Sequence, residues 1–74
     1  MNINVSIDGE NHNIDRQRYA ENTLTRLRKF GYPELTKKEV QNAIDDALAG
    51  IEKTDVVSVW IAGEVVSEQI TKET

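Results

Sequence analysis

The sequence predicts a small α+β domain: an antiparallel sheet of order ββααβ, with a fourth short strand as an option, and two helices packed on one face. Three observations predict it. Residues 2–7 alternate apolar and polar side chains, the period of a half-buried strand. Residues 36–50 repeat apolar side chains at helical spacing behind a capping signal, and residues 56–62 are the most β-branched run of the chain. Strands grouped before and after a pair of helices are the pattern of a two-layer domain.

In the first strand Ile3, Val5 and Ile7 share one side, and Asn2, Asn4 and Ser6 the other. Asp8-Gly9 supplies the two positive-φ positions of a type I′ turn, so a return strand follows at residues 10–14. In that register Ile7 faces Glu10, Val5 faces His12 and Ile3 faces Ile14. The opposite face, with Asn11 and Asn13, is wholly polar.

Asp15 is placed to cap a helix over residues 16–30, whose inner positions are Tyr19 or Ala20, then Leu24, Leu27 and Phe30. Gly31 and Pro33 end it, one by admitting a left-handed residue and the other by lacking a donor. Thr36 and Glu39 then fit a capping box, with Leu35 and Val40 where a hydrophobic staple closes. Val40, Ala43, Ile44, Ala47, Leu48 and Ile51 form one stripe, and Gly50 stands at the expected C-terminal position. Gly63 interrupts the apolar run of residues 56–62. Residues 64–67 then read either as a short return strand or as the start of a C-terminal helix. Residues 71–74 are expected to fray, which leaves one domain over residues 1–74 with its ordered core over residues 1–70.

Composition narrows the function classes. A chain of 74 residues supports one core, and area scaling hides only about 60% of the unfolded surface, which leaves little interior for desolvating a catalytic constellation. Without cysteine there are no disulfides, thiolate metal sites or thiol nucleophiles, and a reducing cytoplasm is the default compartment. The first residues lack a basic start and a long apolar run, and no stretch approaches membrane-spanning length, so no membrane association is expected. His12 is the sole histidine, no serine lies in a Gly-x-Ser-x-Gly context, and Asp45-Asp46 lies outside the apolar stripe of its helix. The glycines at 9, 31, 50 and 63 stand singly, so no phosphate loop exists. The expectation is a non-enzyme with no cofactor and no metal.

Charge is unevenly divided. Residues 1–38 carry seven basic and five acidic side chains (+2), and residues 39–74 carry two basic and eight acidic ones (−6), for a net −4. Across residues 2–49 the order of strand, helix, glycine turn and capped helix resembles in outline the ribbon-helix-helix layout. That resemblance implies a dimer that lays an antiparallel ribbon in the DNA major groove. Asn2, Asn4 and Ser6 would then read bases, while Arg26, Arg28 and Lys29, beside Phe30 and Tyr32, would hold phosphate. Residues 10–14 lengthen the link to the first helix, the ribbon lacks Arg and Lys, and a −4 chain serves phosphate neutralisation poorly. Nucleic acid is therefore the alternative partner and not the leading one.

Trp60 is the most informative side chain. In residues 56–62 parity separates Val57, Val59 and Ile61 from Val56, Ser58, Trp60 and Ala62, and the three β-branched residues have the better claim to the core. Trp60 then joins Val56 and Val65 as an apolar patch with a polar rim on the outer sheet face, a setting typical of protein-binding anchors. A slipped register would bury it instead. The leading expectation is a non-catalytic module, adaptor or inhibitor in type, that binds another protein, with homodimerisation as the accompanying option. Small acidic domains without cysteine are frequent among phage and mobile-element proteins directed at host machinery, which is an association and not a derivation.

Overall fold

A computed structural model describes residues 1–61 and 63–72. The elements are β1 (Asn2–Ile7), β2 (Glu10–Asp15), α1 (Arg16–Lys29), α2 (Lys37–Gly50), β3 (Val56–Ile61) and β4 (Glu64–Thr71). They form one antiparallel sheet of order β2-β1-β4-β3, with both helices packed on it, a small α+β domain. The core lies between sheet and helices: Ile3, Val5, Val59, Ile61 and Ile70 meet Tyr19, Ala20, Val40, Ile44 and Ala47, all buried. No helix among the described residues is long and apolar enough to cross a membrane.

The first hairpin follows its turn chemistry. Asp8 at φ 51° and Gly9 at φ 85° make the tight turn, and Ile7 pairs with Glu10, Val5 with His12 and Ile3 with Ile14. Asp15 ends β2 and caps α1, its carboxylate accepting from the amides of Gln17 (3.1 Å) and Arg18 (3.2 Å). The Arg18 amide is the main reason its carboxyl titrates below the usual range. At the start of α2, Thr36 Oγ1 accepts from the Glu39 amide (3.3 Å) and donates to the Glu39 carboxylate (3.1 Å). This capping box is closed through the hydroxyl, with Leu35 and Val40 buried as its staple.

Two local expectations are corrected. Phe30 is no inner-face residue: α1 ends at Lys29, and Gly31, at φ 118°, turns the chain so that the Tyr32 amide donates to the Leu27 carbonyl (3.1 Å). Phe30 caps the helix and projects outward, and Thr23 takes the buried place on α1. Gly50 ends α2 without a left-handed φ, since Ile51 continues right-handed. A Cβ on Gly50 would lie 3.3 Å from a methyl of Val57, so this glycine lets α2 approach β3.

The last strand is neither short nor marginal, and it is no helix. β4 runs eight residues and pairs on both sides, with β1 (Asn4↔Thr71, Val5↔Ile70) and with β3 (Val56↔Thr71, Val57↔Ile70), so Thr71 belongs to the sheet. Ala62, Glu73 and Thr74 lie outside the described residues, and with them fall the fraying of the last two and the face of Ala62.

The pairing of β3 with β4 is irregular. Ser58 faces Gln69 and Trp60 faces Val65, so two steps on β3 meet four on β4. An even excess preserves parity. Trp60 therefore stays on the face of Ser58, and Val59 and Ile61 stay in the core.

Candidate functional site

Five large apolar side chains stand exposed among the described residues: Met1, Phe30, Val56, Trp60 and Val65. Phe30, Val65 and Trp60 lie where the C-terminal end of α1 meets the β3–β4 hairpin, and Val56 lies at the far end of β3. Trp60 is 60% exposed and pairs across the strands with Val65, at 53%. Val65 and Phe30, the latter 75% exposed, line a cleft of about 360 Å³ between α1 and β4. Trp60 and Val56 line a second trough, about 430 Å³, beside the open edge of β3. The outcome is a broken apolar band running Phe30, Val65, Trp60, Val56. The three residues expected on the outer face are there together. Phe30 was missed because helical spacing assigned it inward; the signal against that was Gly31, which ends the helix before Phe30 completes a turn.

The cleft beside Phe30 has a charged floor. Glu68, 1% exposed on the inner face of β4, is ion-paired with Arg26 of α1, and the Tyr32 hydroxyl donates to the Glu64 carboxylate. Burying a carboxylate is costly unless a cation meets it, and Arg26 reaches in from the neighbouring helix to do so. Tyr19 lies in the same layer. Its hydroxyl is buried and no partner among the described residues meets hydrogen-bond geometry. Burial pushes the phenol up to about 12, the Glu68 charge adds to this, and Thr23 and Arg26 pull the other way. The pull of Thr23 is that of a neighbouring dipole and not of a formed bond.

The alternative phosphate-binding residues are divided in their duties. Arg26 holds Glu68, and Arg28 Nε donates to the Leu35 carbonyl (2.8 Å), tying α1 to the loop before α2. Lys29 is exposed at the end of α1, where a cation complements the helix dipole. Asn2, Asn4 and Ser6 occupy the outer face, but the Asn2 amide donates to Asn13 (2.8 Å), and Asn13 donates to Asn4 (2.8 Å). These amides satisfy one another across the hairpin. β1 itself is hydrogen-bonded on both sides, to β2 and to β4.

Among the described residues, His12 and the Asp45–Asp46 pair stand apart. His12 is half exposed at the sheet margin, 3.9 Å from the Glu10 carboxylate. Asp45 is ion-paired with Arg16, and Asp46 is exposed beside the β3 trough. No group of three or more metal-ligating side chains gathers among the described residues. Comparison of the chain with known protein families, curated proteins and solved structures gave no match, so the functional reading rests on this geometry.

Proposed function

We propose that this protein is a non-catalytic interaction module, cytoplasmic and of adaptor or inhibitor type, that binds another protein through the Phe30–Val65–Trp60–Val56 band. The observation that carries the reading is the segregation of exposed apolar side chains. Four follow one another from the end of α1 along the β3–β4 side of the sheet, while the rest of the outer sheet face carries asparagine, serine, glutamine and threonine. Scattered apolar residues on a surface need no explanation, but a cluster around a tryptophan with a polar rim is what protein-binding surfaces present. The fixed parts support it: Arg26–Glu68 braces α1, and Tyr32–Glu64 the loop that follows it, against β4, so the band is held in place before a partner arrives.

The DNA-binding alternative has less in its favour. An intermolecular ribbon needs a strand with a free edge, and β1 has none. Two of its three proposed base readers, Asn2 and Asn4, are hydrogen-bonded to Asn13, and two of its three phosphate ligands hold protein groups.

The test is differential capture from cells with three baits: the parent, Trp60→Ala and Asn11→Ala. A protein retained by the parent and Asn11→Ala but lost with Trp60→Ala is the expected result. A retained set that ignores Trp60 overturns the reading. A duplex-DNA affinity that falls steeply with added salt and is abolished by Asn4→Ala would install the alternative.

A further inference from the structure

We propose that the open edge of β3 pairs antiparallel with β3 of a second copy, about a two-fold axis at Ser58, joining two sheets into one. This rests on the reading above in one respect, that Trp60 and Val56 are contact residues; its own ground is the backbone of the edge. The Lys72 amide donates to the Asp55 carbonyl (2.9 Å), so residue 55, and by alternation residue 57, turn their backbone groups toward β4. The extra residues opposite Ser58–Trp60 lie on β4, so the alternation along β3 runs on to residues 59 and 61. Val56, Ser58 and Trp60 therefore point their N–H and C=O groups out of the sheet.

Those three residues are self-complementary. With Ser58 opposite Ser58 of the second copy, Val56 of each chain lies opposite Trp60 of the other, and each facing pair exchanges N–H···O bonds in both directions. The side chains agree with the backbone. Across the outer face each exposed tryptophan gains a β-branched neighbour, and on the inner face Val57 meets Val59. No residue of Val56–Ile61 is charged, so this register sets no like charges opposite one another. Ala43 and Ala47 of α2 line the trough beside the edge, and their small side chains leave room there for the incoming strand. A long apolar edge left bare is a pairing template, and β3 carries none of the lysine, proline or inward charge that guards such edges. Pairing also joins the two apolar bands into one surface that crosses the two-fold axis.

The test uses the absence of cysteine from this chain. Facing residues of a hydrogen-bonded pair have Cα atoms about 5.5 Å apart, within the disulfide range of roughly 4.4–6.8 Å. Ser58→Cys is expected to oxidise to a covalent dimer, and Asn13→Cys, on the opposite edge, is not. By sedimentation the parent should dimerise in a concentration-dependent way. Ser58→Pro should weaken the dimer by about tenfold or more with an unchanged far-ultraviolet spectrum, because proline removes only the outward donor. If Ser58→Pro fails to fold, the cysteine pair decides alone.

Salt separates a second copy from a basic peptide on the same edge. Two −4 chains, with Asp46 beside each trough, repel, so raising salt to about 0.5 M should tighten self-association. A parent that stays monomeric to about 1 mM, or cross-linking as efficient at residue 13 as at 58, overturns the proposal. A monomer that still loses its captured protein on Trp60→Ala overturns it while leaving the module reading intact.

Discussion

The two edge strands of this sheet are built on opposite plans. β2 presents Glu10, Asn11, His12, Asn13 and Asp15 to solvent, with Ile14 half-buried as its one apolar contact. β3 is apolar except for Ser58, buries Val59 and Ile61, and exposes Val56 and Trp60. An edge guarded by polar and charged groups resists pairing, whereas an unguarded one invites it. The contrast teaches that the exposed apolar side chains are no accident of a small core. The same chain fills the outer side of one edge with asparagine and of the other with tryptophan and valine.

Truncation inside the core gives the largest effect and tests how deeply each edge is anchored. Ile61→Ala on β3, where the side chain is buried, should cost about 3 kcal/mol, and Ile14→Ala on β2 about 1 kcal/mol. Denaturant midpoints measure both. Equal costs would mean that β2 is anchored as firmly as β3 and would erase that half of the contrast.

Between the edges, Tyr19 makes the layer under β4 sensitive to alkali. Its phenol titrates near 12 when folded and near 10 when unfolded, so the neutral form is the one the fold favours. The stability this contributes is fully present below about pH 10 and is lost as pH rises through about 12, amounting to roughly 2 kcal/mol. Tyr19→Phe should flatten that alkaline limb and leave stability at pH 7 unchanged or slightly higher, since no partner among the described residues meets the hydroxyl in hydrogen-bond geometry. An unaltered alkaline limb would place the sensitivity elsewhere.

The turn that presents β2 comes next. Gly9→Val forces a β-branched residue to φ 85° and should cost about 1–2 kcal/mol in thermal unfolding. A neutral result would show that β2 pairs without its tight turn. The smallest effect is the most telling: Trp60→Ala should change monomer stability by under about 0.5 kcal/mol, because the ring stands in solvent. Unfolding of that variant would turn the exposed edge into a core strand and end the contrast altogether.

Much of this was legible because local chemistry and tertiary structure agree. Asp8-Gly9 sets the first register, and Thr36, Glu39, Leu35 and Val40 set the start of α2, each through contacts only a few residues apart. The outer position of Trp60 followed from parity, which survived because the irregularity opposite it has an even count. What escaped depends on contacts distant in sequence. Glu68 reads as a surface residue until Arg26, 42 positions away, is seen to meet it. Gly50 reads as a helix stop until Val57 is found against it. The apolar band likewise needed Phe30 brought to Val65 by the packing of α1 on β4, which no periodicity reports.

β4 lies between β1 and β3, and this bears on how the molecule comes into being. Residues 4–6 pair with residues 69–71, more than sixty positions apart, so the sheet cannot close until β4 is in place. A nascent chain halted before Glu64 holds a hairpin, two helices and β3 with neither side paired, its valines open to any strand nearby. Cooperative closure of the sheet once β4 is available, in place of stepwise addition of strands, is the order of events this topology imposes.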